Sequence, residues 1–173
     1  AGGGAILSRL PLRDCARSRS EVGWFPALAA TIEGPLGAVR VIAVHLRPAR
    51  SGVEVIADLA ALPEAHRREV RAHIARLADS STPTILAGDW NEGDGEGALN
   101  ELASRGYASA LARHSPSATT WRWPLGLMMV EKRLDHVMYD PDVLRCVSAS
   151  VSHTGRSDHY PVVAPIAQPA PPP

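Results

Sequence analysis

Apolar and polar positions change period several times along this chain, and each change marks an element. Residues 24–33 and 38–46 are β-rich runs joined by GlyProLeuGly, a Gly/Pro turn that predicts a hairpin. Pro26 falls inside the first run and marks it as an edge or bulged strand, since proline donates no ladder hydrogen bond. Residues 4–8 read as a short strand, after which ArgLeuProLeu turns the chain. Beyond a polar stretch at 48–52 the period becomes helical. Val70, Ile74 and Leu77 recur at i, i+4 and i+7, with Arg68, Glu69, Arg71 and Arg76 on the other faces, which predicts an amphipathic helix over 63–78. Residues 82–87 form a buried strand ending in GlyAsp, and 96–105 a second helix with Gly106 as its stop. Residues 133–139, 146–151 and 160–166 are three further strands with no helix between them. The sum is an α/β layered domain whose last part is mixed or antiparallel.

Composition bounds this picture. The chain has 173 residues, one domain's worth, with 18 Lys+Arg against 18 Asp+Glu. A neutral chain has no global field to draw it onto nucleic acid or an anionic membrane, so any phosphate recognition must be local. All the basic residues but Lys132 are Arg, either for bidentate anion binding or as a trace of base composition. Hydrophobic residues make up 45% but aromatic ones only 5%, so aliphatic side chains must fill the core. Apolar runs are too short to cross a bilayer and no basic-then-apolar leader opens the chain, which predicts a soluble protein without a signal peptide in this chain. Cys15 and Cys146 are too few for a metal framework and are expected as two buried thiols. The domain is read as 1–167, with a Pro-rich tail at 168–173.

The candidate chemistry lies at strand ends. His45 closes ValIleAlaVal, Asp89 closes ThrIleLeuAlaGly, Asp135 opens AspHisValMetTyr, and Asp158 and His159 precede TyrProValVal. Together with Asn91, these supply what phosphate-ester hydrolysis needs: hard oxygen ligands for a divalent cation, a base for water, and donors for phosphoryl oxygens. Other constellations fit worse. Ser157, Asp158 and His159 are consecutive and cannot act on one another as a triad, and there is no GxSxG elbow. Residues 89–96 imitate a calcium loop, but Asp94 stands where Gly is required and Asn100 where Glu is required. Neither HExxH nor a Cys/His zinc spacing occurs.

GlyAspTrpAsnGlu at 88–92, HisLeu at 45–46, ArgLeuAspHisVal at 133–137 and SerAspHisTyrProVal at 157–162 together resemble the endonuclease/exonuclease/phosphatase superfamily. This is the fold of DNase I-like nucleases, neutral sphingomyelinases and inositol polyphosphate 5-phosphatases. The resemblance runs from Ala5 to about Ile166 and includes residues 4–12, similar to a strand before the middle of that domain.

The resemblance implies an α/β, DNase I-like four-layer sandwich, two stacked and mostly antiparallel sheets flanked by helices. It also implies a metal-dependent phosphoesterase acting by water attack on phosphorus, with Mg²⁺ or Mn²⁺ as cofactor. Asp89 would be the base for the water, Asn91 would position it, His159 would donate to a phosphoryl oxygen, and Asp135 would fix the His159 tautomer. His45 would bind the phosphate from the other side. Asp158, with Asp89 and Asn91, would lie at the metal. Trp90 and His136 stand where Phe and Tyr are common in the family, and strand alternation sends His136 to the face opposite Asp135. The family's first half, with an Asn and a metal-binding Glu, has no counterpart before Ala1, so the chain is expected to hold the second sheet whole and the first in part. The alternative is therefore a non-catalytic remnant or binding module. Arg47, Arg50, Ser51 and Arg156 could contact substrate phosphate, and Trp121 and Trp123, read as a loop, could stack on a base or wedge against a lipid or sugar. Nucleic acid, nucleotide, phospholipid and sugar phosphate all remain open as substrates.

Overall fold

Residues 37–45 alternate between two apolar environments, and that alternation organises the fold. The computed structural model describes residues 3–22, 24–49, 55–79 and 81–169; Arg50 and Ser51 lie outside them. Its elements are β1 (Leu12–Ser18), β2 (Ala27–Gly34), β3 (Gly37–His45), α1 (Val55–Leu77), β4 (Thr84–Asp89), α2 (Gly97–Ser104), β5 (Ala108–Ser109), α3 (Ala110–His114), β6 (Trp121–Leu125), β7 (Met128–Lys132), β8 (Asp135–Tyr139), β9 (Arg145–Cys146), β10 (Ser150–Val151), β11 (Val162–Val163) and β12 (Ile166–Ala167).

Six strands form one sheet in the order β1-β2-β3-β4-β8-β5. All its neighbours are antiparallel except β3 and β4. A parallel pair needs a long crossover, and α1 supplies it. Ile42, Val44 and Leu46 face α1 and α2, in a core with Leu86, Met138, Val70, Leu77 and Leu102. Val39, on the other face, joins Tyr139, Leu111, Leu144 and Cys146 in a second core. That face is covered by α3 and by the two-residue pairs β9/β12 and β10/β11.

Several boundaries depart from the sequence reading, each for a physical reason. Residues 4–8 pair with no strand, and Leu7 is 92% exposed; the first strand is β1, which the reading missed. A bulge between Arg13 and Ala16 interrupts it, with Asp14 at φ 48°, and Cys15 in that bulge is exposed rather than buried. Pro26 precedes β2, so β2 is an interior strand and the missing N–H lies outside the ladder. The predicted turn does join β2 to β3, with Gly34 paired to Gly37. Helix α1 starts two turns before Pro63, a residue whose preference for first helical positions made it look like the start. The inner stripe of α1 also carries His66, Glu69 and His73, all buried, which blurs the apolar period there. Trp121 and Trp123, expected in a loop, instead lie on β6 of the β6/β7 hairpin, which turns around Gly126. The runs 146–151 and 160–166 each split into two short strands, the second around Pro165, so the layer facing the six-stranded sheet is made of short pairs rather than a full sheet.

Candidate active site

Register builds the site. In the parallel pair His45 stands opposite Asp89, and in the antiparallel pair Asp89 stands opposite Asp135. Residues paired across a ladder share a face, so the three side chains lie side by side at one end of the sheet, away from α1 and α2. Gly88 makes this approach possible. Its φ is 144°, and a Cβ there would lie 1.9 Å from the Val44 carbonyl oxygen. His159 arrives from the loop before β11 through a bridge between Trp121 and His159.

The geometry converges on one oxygen. Nε2 of His45 and Nε2 of His159 lie 3.6 and 3.8 Å from Asp89 Oδ2. Nδ1 of His159 donates to Asp135 Oδ2 at 2.8 Å, which leaves Nε2 facing Asp89. The Asn91 N–H donates to Asp89 Oδ1 at 2.9 Å and its side-chain amide to the Leu46 carbonyl at 2.8 Å, with the Asn91 backbone held at φ 50°. Both His side chains are 32% exposed and the two carboxylates about one-fifth, so the cluster is shielded yet reachable. Below it Trp90 is fully buried and donates to the His136 carbonyl, while His136 points inward and donates to the Glu92 carbonyl.

Electrostatics follows from this packing. Burial pushes the Asp89 carboxyl above the ordinary aspartate value, and the Asp135 charge adds to it against the Asn91 N–H and the two imidazoles. Burial alone would lower His159, but the hydrogen bond and charge of Asp135, with Asp89 and Asp158, outweigh it and leave His159 raised. Asp89, Asp135 and His159 place a ligand atom each within 4.8 Å of one another, the one such group among the described residues. Two close carboxylates with hard oxygens repel when both are ionised, and a divalent cation would offset that repulsion, so the donor set fits one.

The structure brings His45, Asp89, Asn91, Asp135, His159 and Trp121 together, keeps Asp158 beside them but outside the ligand group, and gives Arg47 and Arg156 other surroundings. Asp158, expected at the metal, stands outside the ligand group: its carboxylate accepts from the Trp121 indole N–H at 3.3 Å and from Ser157 Oγ at 3.5 Å. Arg47, expected on substrate phosphate, instead grips Asp58 of α1 through both terminal nitrogens at 3.0 and 2.8 Å and is nearly buried. Arg156 lines a hollow between the hairpin and residues 156–158 with Arg122, Trp123 and Asp158. Trp121 and Trp123 stack with planes 3° apart.

Three contributors escaped the sequence reading. Thr120 is fully buried, and its Oγ1 accepts from the N–H groups of Leu134 and Asp135 at 2.9 and 3.0 Å, fixing where β8 begins. Phe25 packs on the His45 ring at 4.6 Å between centroids, and Trp24 closes over that pair. Only the tertiary fold brings these residues to the site; Thr120 opens the run ThrTrpArgTrp, in which the two tryptophans are the residues with evident chemistry.

Comparison with known proteins identifies the family and the fold. The Endonuclease/Exonuclease/phosphatase family is matched over residues 1–159, and the chain belongs to it. The enzymes of this family are phosphoesterases that generally use divalent metals. The fold is DNase I-like. A 3' phosphatase, NExo, from Neisseria bound to product DNA hairpin superposes with TM-score 0.63 at 20% identity, covering 92% of this chain and 73% of that one. The human Nocturnin catalytic domain with bound sulfate gives 0.61 at 21%, covering 93% and 61%. TDP2 from D. rerio complexed with single-strand DNA product gives 0.66 at 13%, covering 92% and 69%. No curated protein matches the sequence significantly. Among the described residues no helix is long and apolar enough to cross a membrane.

Proposed function

We propose that this chain carries a divalent-cation-dependent phosphoesterase site that hydrolyses a phosphomonoester or phosphodiester by attack of water on phosphorus. The observation that carries the reading is the convergence of His45 and His159 on Asp89 Oδ2, with Asp135 behind His159. Asp89, raised by burial, orients the water and takes its proton. Asn91, clamped to Asp89 and Leu46, holds the water in line. His159, whose protonated form Asp135 favours, donates to a phosphoryl oxygen, and His45 steadies the phosphate from the opposite side. Asp89 and Asp135 would hold the cation with help from Asn91. The chemistry supplied there by bound Mg²⁺ or Mn²⁺ would be neutralisation of the charge growing on the phosphoryl oxygens.

The leaving group would lie beside Trp121, in a cleft of about 810 Å³ that also meets Asn91, Lys132 and Arg133. Two structural neighbours hold DNA product, which favours a nucleic acid or nucleotide as the phosphate ester here. The experiment is hydrolysis of bis-p-nitrophenyl phosphate with Mg²⁺ or Mn²⁺ by wild type, Asp89→Ala and His159→Ala. Each substitution should cost about 10²-fold or more. Equal rates in all three would sink the reading, and equality at the rate of the protein-free blank would favour a non-catalytic module of the same fold.

A further inference from the structure

The β6/β7 hairpin is amphipathic along its length rather than across its faces. At its root, Trp121 pairs with Lys132 and Arg122 with Glu131; further out, Trp123 pairs with Val130, Pro124 with Met129 and Leu125 with Met128. Successive pairs face opposite sides of the ribbon, so the outer half is apolar on both faces and the inner half is charged. Trp123, Leu125, Met128 and Met129 are more than half exposed, and Leu127 at the turn is wholly so. A protein partner that covers one face of a ribbon would leave the other wet. A medium the tip enters end-on would cover both.

We infer that this tip inserts into the interface of an anionic phospholipid bilayer. The apolar section from Trp123 to the turn is roughly 10 Å long at about 3.3 Å per residue, which matches the depth, about 5–10 Å, that interfacial elements reach. Charge agrees with depth. Lys132 and Arg122 stand at the root, and Arg156 lines the hollow beside it with Arg122 and Trp123, so cations outnumber the neighbouring Glu131 and Asp158 where headgroups would sit. A nucleic-acid wedge fits less well. Such wedges push an apolar residue or two between bases inside a broadly basic surface, whereas this tip carries five large apolar side chains, and the hairpin's basic residues, Arg122 and Lys132, stand only at its root.

This inference does not depend on the phosphoesterase reading and is tested without catalysis. The full chain in EDTA is sedimented with sucrose-loaded vesicles of phosphatidylcholine alone or with phosphatidylserine. Wild type should follow the anionic vesicles. Leu127→Ser with Met128→Ser, shown folded by circular dichroism, should weaken binding about tenfold or more, and Lys132→Glu should weaken it on anionic vesicles only. The double variant should still hydrolyse bis-p-nitrophenyl phosphate at the wild-type rate if that reading holds. Wild type left in the supernatant, or binding unchanged in the double variant, overturns the inference. Loss of duplex-oligonucleotide binding in the double variant without any vesicle binding would overturn it in favour of a nucleic-acid wedge.

Discussion

Gly88→Ala is the substitution that most tightly couples the backbone of this protein to its chemistry. At φ 144° the residue sits where an L side chain is strained, and the added Cβ would meet the Val44 carbonyl oxygen at 1.9 Å. That oxygen belongs to β3, the strand against which β4 is registered, so it cannot rotate away as a flexible side chain would. Backbone strain of this kind costs about 1–3 kcal/mol, and a local break in the ladder adds about 1 kcal/mol. The expected loss is therefore roughly 2–4 kcal/mol in urea unfolding, read as a lower midpoint at unchanged slope. Asp89 follows directly, so any shift that relieves the clash moves it relative to His45 and His159, and activity should fall further than stability explains. A variant within about 0.5 kcal/mol of wild type, with full activity, would show that the close approach at Gly88 does not position the site.

Other consequences are as direct. Asp135→Asn removes the negative charge that orients and favours protonated His159, leaving only a neutral amide in its place; hydrolysis should fall about 10²-fold or more, and the alkaline limb of the pH–rate profile should move to lower pH. Because the folded His159 pKa is raised, its contribution to stability is full below the unfolded histidine value and fades as pH rises through the folded one, a dependence the variant should lose. Glu101 is pulled down to about 2 by Arg71 and Arg105, so its stabilisation is present above its ordinary value of 4.5 and disappears as pH falls through about 2; Glu101→Gln should flatten the acid arm of a Tm-versus-pH curve. Trp90→Ala empties a fully buried position under the site and should cost about 3–5 kcal/mol in denaturant unfolding.

Much of this was legible in the sequence because it is local. The hairpin of β2 and β3, the strand ending at Asp89 and the inward turn of His136 follow from alternation and turn chemistry within a few residues. That His45, Asp89, Asp135 and His159 end near one another was legible too, as polar residues closing apolar strands. The partition of the site was not. Arg47 and Asp158 sit next to site residues in sequence, yet Arg47 faces α1 and Asp158 faces Trp121, and only tertiary packing decides such pairings. The β6/β7 hairpin was invisible because its tip buries neither face, so no in-and-out alternation marks it. Buried His66 and His73 hid in α1 because each is satisfied at long range, by Glu92 and by Ser18.

Hydrolysis in ¹⁸O-labelled water tests the central claim most directly, namely that Asp89 directs water onto phosphorus. Wild type with Mg²⁺ or Mn²⁺ should place the label in the phosphate product, and Asp89→Asn should slow its appearance by about 10²-fold or more while the fold persists by circular dichroism. Label found in the released alcohol, or incorporated equally fast by Asp89→Asn, would contradict the account.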